Sequence, residues 1–277
     1  MKTGFVVLHY CLPEVTKDCV NSLLNLDGDK EIVVVDNASP DGSGLILQKF
    51  YEKETRVHVL LNTKNGGFAD GNNLGFRYAK YDINCDVIVV LNNDTLIKDV
   101  KFLNKLESNK DLPVFHIIAP DIVTYKGIHQ NPYRTEGVSK QYLLDLRKRK
   151  KLSLLFYSIP FLYKLKKNEV INREGQFVER RMEDVVAHGA AVIFTKRWIE
   201  NEDFAFCPGT FMYYEEDLLY LYAQRKGYKT VYEPSLQITH LEDMSTNFSH
   251  KSTRKKMVFQ DKLKIQSLDV IIDFLNS

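Results

Sequence analysis

Apolar residues along the N-terminal part of the chain come in short unbroken blocks separated by amphipathic stretches. Phe5–His9, Glu31–Asp36, Val57–Leu61 and Val87–Leu91 are apolar and rich in β-branched residues without alternation, the pattern of strands covered on both faces. Between them the apolar positions recur at helical spacing. Pro13 and Glu14 open a helix carrying Val15, Cys19, Leu23 and Leu26, and further helices are predicted over Leu45–Lys53 and Ala69–Lys80. Strands separated by single helices indicate βαβ units, hence a parallel sheet with right-handed crossovers. Downstream, Val185–Phe194 is strand-like but broken at His188-Gly189-Ala190, Glu215–Lys226 reads as a helix, and the tail carries Leu263, Leu268, Ile271 and Leu275 on one helical face. The expected fold class is α/β: a mostly parallel sheet flanked by helices, with a C-terminal helical extension. No linker rich in Gly, Pro or Ser and no internal repeat divides the chain.

Charge and cysteine usage narrow the function classes. The 277 residues include 38 basic and 36 acidic side chains, a net charge of +2, which argues against a nucleic-acid partner held by bulk charge. Cys11, Cys19, Cys85 and Cys207 form no CxxC pair and no metal spacing, so reduced, partly buried thiols are expected. The N-terminus runs directly into a strand without a signal-peptide pattern, and no apolar run is long enough to span a bilayer. A cytoplasmic protein is expected. The basic residues are nevertheless clustered: Arg147–Lys151, then an apolar stretch from Leu152 to Tyr163, then Lys164–Lys167. Basic flanks around a short apolar segment fit peripheral contact with anionic lipid, and equally a solvated basic loop beside a helix covering the core. The tail could dock on the domain, touch a membrane or form a homodimer contact.

Candidate chemistry collects at the carboxyl ends of the predicted strands, where ligands of open α/β sheets bind. Asp36 ends the second strand. Asn65-Gly66-Gly67, with Asp70, Asn72 and Asn73, follows the third, and Asn92-Asn93-Asp94 follows the fourth. Adjacent glycines let backbone approach a ligand closely, Asn and Asp can bond a base or ribose, and a carboxylate beside two amides could hold a divalent ion and a nucleotide's sugar or phosphate. Each feature alone has a plainer reading, as a turn cap, a strand end or a helix N-cap. Their convergence on one edge is harder to assign to chance. The chain has neither GxGxxG after its first strand nor GxxxxGK[ST], so a mononucleotide with an attached group fits better than a dinucleotide.

Val33-Val-Val-Asp-Asn-Ala-Ser39, Asn65-Gly-Gly-Phe-Ala-Asp-Gly-Asn-Asn73, Leu91-Asn-Asn-Asp-Thr95 and Phe211-Met-Tyr-Tyr-Glu-Glu-Asp217, the last followed by Arg225-Lys-Gly-Tyr228 and Ile238-Thr-His-Leu241, resemble successive signatures of the family 2 glycosyltransferases. The likeness is to the rhamnosyltransferase-like branch that builds bacterial surface polysaccharides. It covers roughly residues 3 to 242, with a gap over about Tyr125 to Met182. The resemblance implies a GT-A catalytic domain over 1–242, with 125–182 as a variable insertion and 243–277 as the helical extension. It also implies an inverting mechanism, a UDP- or dTDP-sugar donor and a saccharide or lipid-linked acceptor. Carried onto this sequence, Asp36 contacts the base, Asn65, Gly66, Gly67, Asp70 and Asn72 the nucleoside, and Asp94 a divalent metal, completed by His240. His9, Asn37, Asn92, Asn93 and Gly189 belong to the same donor site, Gly189 near the donor sugar and acceptor. Asn92 stands where the family commonly has an acid, and its amide is expected on ribose or a metal-bound water.

The chemistry of glycosyl transfer with inversion asks for the same groups. A base must take the acceptor's proton, and something must hold charge on the departing diphosphate. Oxygen-rich ligation with one imidazole suits Mn2+ or Mg2+. The base is expected in Glu215-Glu216-Asp217, where a helix N-terminus favours ionised acids. Successive helical residues point about 100° apart, so at most two of the three can face one site. Glu216 matches the family's catalytic acid, but Leu218 replaces its second Asp, so both Glu216 and Asp217 stay candidates. His188 is a candidate acceptor contact, and Trp198 reads as core or an acceptor platform. The rival readings are a nucleotidyltransferase, which would want a basic triphosphate loop where His9-Tyr-Cys-Leu-Pro13 stands, and a non-catalytic partner of a transferase.

Overall fold

A computed structural model describes residues 1–109, 111–158, 175–242 and 253–277. The N-terminal half alternates as predicted: β1 (Thr3–His9), α1 (Pro13–Leu24), β2 (Lys30–Asp36), α2 (Ser43–Phe50), β3 (Val57–Leu61), α3 (Gly67–Arg77) and β4 (Val87–Asn92). It continues through β5 (Thr95–Leu96), α4 (Phe102–Ser108), β6 (Ile117–Thr124), α5 (Lys140–Ser158), β7 (Met182–Glu183) and β8 (Ala191–Phe194). Last come α6 (Lys196–Asn201), α7 (Glu215–Lys226), β9 (Thr230–His240) and α8 (Thr253–Asn276). The sheet order is β3-β2-β1-β4-β8-β6-β9-β5, with β7 also on β9. The first four strands are parallel, and β8 enters antiparallel to β4.

The unbroken apolar runs have the expected cause. Phe5, Val7, Ile32, Val34, Val89 and Leu91 pack with Cys19, Val20 and Leu23 of α1 and Phe102 and Leu106 of α4. The residues alternating with them, Val6, Val33, Val35, Ile88 and Val90, face Phe76 of α3, Trp198 and Leu219. Each large side chain buried this way contributes about 1.5–3 kcal/mol. All four cysteines are buried free thiols, and burial pushes Cys19 and Cys85 up to about 12.

Several boundaries differ from the sequence expectation. Helix α2 spans Ser43–Phe50, and α3 starts at Gly67 and passes at Tyr78–Asp82 into a π-helical turn that buries Ala79. The run Val185–Phe194 forms a strand only from Ala191. Ahead of it Val186 makes an isolated bridge to Arg134, and the His188 amide donates to Asn131 Oδ1 at 2.8 Å, turning the chain. Trp198 is core: fully buried, its Nε1 donates to the Phe204 carbonyl at 2.7 Å. Leu152–Ser158 continues α5, while 159–163 lie outside the described residues. The tail docks, since α8 lies antiparallel along α5 through Arg147–Asp269 (2.7 Å), Lys150–Asp261 (3.1 Å) and Arg254 Nε on the Tyr157 carbonyl (2.6 Å), with Leu268 and Ile271 fully buried. Among the described residues no helix is long and apolar enough to cross a membrane.

Candidate active site

Asn37, just past β2, is the hub of one half of the cleft. Its Nδ2 donates to Asn65 Oδ1 (3.0 Å) and the Gly67 carbonyl (2.9 Å), and its Oδ1 accepts the Gly66 amide (3.1 Å). These bonds tie the turn after β3 to the end of β2. Gly67 has φ +83°, and a Cβ there would lie 2.2 Å from the Phe211 carbonyl oxygen, to which the Phe68 amide donates at 2.6 Å. Only glycine admits this approach of two backbones. Asp36, 6% exposed, accepts the Ser39 amide at 3.2 Å and lies against Gly44. It caps its turn while its carboxylate stays at the cleft end of β2.

The polar residues at these strand ends divide into those that line the cleft and those that build its floor. Asn65 and Asp70 are exposed at the rim. His9, expected on the nucleotide, is fully buried, with Nδ1 on Thr16 Oγ1 (2.7 Å) and Nε2 on Ser43 Oγ (2.8 Å). Burial depresses its pKa against the pull of Asp36, so a neutral ring supports the floor, with both nitrogens engaged inside the protein. Asn72 turns inward, its Nδ2 on the Phe68 carbonyl (3.0 Å) and its Oδ1 without a hydrogen-bond partner among the described residues. Asn73 clamps the Ala205–Phe206 backbone, and Asn93 donates inward to Thr16 Oγ1 (3.0 Å). Asn92 ends β4 and is half-buried, whereas Asn93 stands in the turn that follows.

Asp94 and His240 meet through strand pairing. β5 runs antiparallel to β9 with Thr95 opposite His240, and the Leu241 amide donates to the Asp94 carbonyl at 2.8 Å. Both side chains are nearly buried, with His240 Nε2 3.3 Å from Asp94 Oδ1. Behind them runs a polar chain: Gln130 Nε2 donates to Glu242 Oε1 (3.0 Å), and Gln130 Oε1 faces His240 Nδ1 (2.8 Å). The carboxylate sets the amide's orientation, the amide oxygen demands a proton on Nδ1, and Nε2 is left to face the Asp94 oxygen. An imidazole nitrogen and a carboxylate oxygen 3.3 Å apart are a donor set that fits a divalent metal beside both. Among the described residues no group of three or more His, Cys, Asp or Glu is placed to hold a metal, so the remaining ligands would come from a diphosphate and water.

The acidic triplet at the start of α7 splits three ways. Glu215 is 4% exposed with Oε1 unbonded among the described residues, and burial, reinforced by Glu216, pushes its carboxyl up to about 8. Asp217 is buried and ion-paired with Arg134. Glu216 is half-buried, and its Oε1 accepts the Gly189 amide at 3.2 Å. The next residue, Ala190, accepts the Asn92 amide at 2.9 Å, and the His188 ring lies 6.0 Å from that of His240. The turn His188–Ala190 thus touches Glu216 through the Gly189 amide and lies beside His240 through the His188 ring. Tyr213 and Tyr214, immediately before the helix start, have φ of 78° and 66°. Bulky residues adopt that region at a cost of roughly 1–3 kcal/mol each, and such strain concentrates at working sites. Gln130, Arg134 and Glu242 were not foreseen, because they gain meaning only from partners far along the chain.

The sequence model of Glycosyl transferase family 2 matches residues 5–168. A low-salt glycan biosynthesis hexosyltransferase, Agl10, of Haloferax volcanii is 28% identical over 130 residues, 46% of this chain and 39% of that protein. The glycosyltransferase GlyG of Streptococcus pneumoniae is 24% identical over 246 residues, 84% of this chain and 74% of its own. The fold matches a mannosyltransferase of Pyrobaculum calidifontis, solved with GDP-Man and Mn2+, with a TM-score of 0.55 at 13% identity over 95% of this chain and 69% of that one. It also matches S. aureus TarS, solved with UDP-GlcNAc, with a TM-score of 0.57 at 14% identity over 95% and 66%. The fold is therefore the GT-A type.

Proposed function

This chain belongs to glycosyltransferase family 2, and on that premise we propose that it transfers a sugar from a nucleotide-diphosphate sugar to a saccharide acceptor with inversion. The acceptor is a lipid-linked precursor of a cell-surface polysaccharide, and the donor a UDP- or dTDP-sugar. The observation that carries the reading is that one turn, His188–Ala190, touches both Glu216, through the Gly189 amide, and the neighbourhood of the Asp94–His240 pair, through the His188 ring. A proton acceptor and a site for diphosphate charge, the two tasks the reaction sets, would then border the same turn.

In this reading Asp36 and the Asn65–Gly67 turn hold the nucleoside, with Asp70 at the rim and Asn92 toward the ribose. Asp94 and His240 would hold Mn2+ or Mg2+, which supplies Lewis-acid neutralisation of the leaving diphosphate. Gln130 and Glu242 keep the His240 lone pair directed at that position. Glu216, oriented by the Gly189 amide, takes the acceptor hydroxyl proton as the oxygen bonds to the anomeric carbon and the carbon–phosphate oxygen bond breaks. Glu216 is preferred over Asp217 because the Asp217 carboxylate is committed to Arg134.

The test is a pair of variants assayed against a panel of UDP-, dTDP- and GDP-sugars. Asp94→Ala abolishes metal-dependent donor binding, whereas Glu216→Gln binds donor as the parent does and loses about 100-fold or more in turnover. Wild-type transfer by either variant would refute the assignment.

A further inference from the structure

Helices α5 and α8 concentrate charge on a nearly neutral protein. Residues 145–156 and 254–264 hold ten Lys and Arg side chains and two carboxylates, Asp145 and Asp261, in a chain whose net charge is +2. The antiparallel contacts between the helices fix which face of α5 is inward: Arg147 and Lys150 pair with Asp269 and Asp261, and Leu143, Ser153 and Tyr157 are buried. At about 100° per residue, positions 148, 149, 151, 152, 155 and 156 fall on the opposite half of the helix. Their exposure agrees: Leu152 is 53% exposed, Leu155 65% and Phe156 40%, and Lys148, Arg149 and Lys151 are exposed beside them. On α8 the exposed positions include Lys255, Phe259 and Lys262.

We propose that this outward face of α5, with Leu152, Leu155 and Phe156 as the inserted apolar edge and Lys148, Arg149 and Lys151 as the cationic border, docks the protein on an anionic lipid surface. Cations attract such a surface over roughly a Debye length, and exposed aliphatic and aromatic side chains then gain from leaving water for the acyl boundary. A nucleic acid would use the cations but has no use for two exposed leucines. Burial, and then Lys150, depresses the Lys264 amine, with Asp261 acting against them. The inference goes beyond the transfer reaction and stands on surface chemistry alone.

Its placement has a consequence for the acceptor. Ser267 Oγ donates to the Met212 carbonyl at 2.9 Å, and Lys264 Nζ lies 4.7 Å over the Tyr213 ring. The helix pair is therefore fastened to the segment that leads into Glu215 and Glu216, and docking would hold that segment near the bilayer surface.

The experiment is co-sedimentation of the full chain with vesicles of phosphatidylcholine alone and of phosphatidylcholine with phosphatidylglycerol, at low and high salt. The parent binds only the anionic vesicles and is released by salt. Lys148→Glu/Arg149→Glu/Lys151→Glu weakens binding about a hundredfold or more, at about fivefold or more per charge over three positions. Leu152→Ser/Phe156→Ser weakens it while leaving the thermal midpoint in place, and the remote pair Lys49→Glu/Lys53→Glu binds as the parent does. Absence of binding to anionic vesicles, equal binding by the charge or apolar variant, or tight binding to a single-stranded oligonucleotide without vesicle binding would each overturn the proposal.

Discussion

Replacement of Glu215 by Gln tests the electrostatics at the start of α7 without altering shape. The carboxyl is pushed from an ordinary 4.5 up to about 8 by burial and by Glu216. Between those values the folded chain keeps a proton that the unfolded chain has released. This contribution to stability is fully present below pH 4.5 and is lost as pH rises through about 8. One proton of difference is worth about 1.4 kcal/mol per pH unit, so the whole window amounts to roughly 5 kcal/mol. That is comparable to the total stability of many domains, about 5–15 kcal/mol. Gln is neutral throughout and removes the slope. Whatever constant offset its amide introduces cancels when the two proteins are compared across pH.

The assay is urea unfolding of parent and Glu215→Gln at intervals from about pH 5 to pH 8, followed by the fluorescence of Trp198, the sole tryptophan and fully buried. The variant gains on the parent by about 1.4 kcal/mol for each unit of rising pH within the window. Parallel stability curves would show that Glu215 is ionised in the folded protein and that the reasoning fails. Glu216→Gln provides an internal control. It removes the second cause of the shift, so this variant's loss of stability should end at a lower pH than the parent's while burial keeps part of it.

Gly67→Ala places a methyl 2.2 Å from the Phe211 carbonyl at φ +83°, and is expected to cost about 2–4 kcal/mol and to lower the thermal midpoint; an unchanged midpoint would mean that the turn and the Phe211 segment are not in contact. Gln130→Leu leaves Asp94 and His240 in place but releases the His240 tautomer, so Mn2+ affinity measured by calorimetry should fall about 10–100-fold, with activity recovered at high Mn2+; unaltered affinity would remove Gln130 from the site.

The central strands were legible because strands buried on both faces leave unbroken apolar runs, and their polar ends followed from the topology of parallel sheets. What the polar ends do was not legible to the same depth. Asn92 and Asn93 are chemically identical neighbours, yet one ends β4 half-buried and the other, in the turn after it, donates inward to Thr16. His9 ends a strand like the others, yet the buried hydroxyls of Thr16 and Ser43 claim both its nitrogens. The partners of His240 and Asp217, Gln130 and Arg134, lie 110 and 83 residues away in the stretch where the family resemblance fades, and nothing local marks them.

The acidic triplet shows where the boundary falls. Helical geometry alone restricts how many of Glu215, Glu216 and Asp217 can share a site, and it cannot choose among them. The choice comes from what surrounds each: burial for Glu215, the Arg134 guanidinium for Asp217 and the Gly189 amide for Glu216. At Gly189 a Cβ would stand 2.8 Å from Glu216 Oε1, so an added methyl would shift the end of that side chain relative to the amide it accepts from. A glycine in a broken strand and an acid in a helix some 27 residues later are thus one unit, joined by a hydrogen bond that no periodicity in the chain encodes.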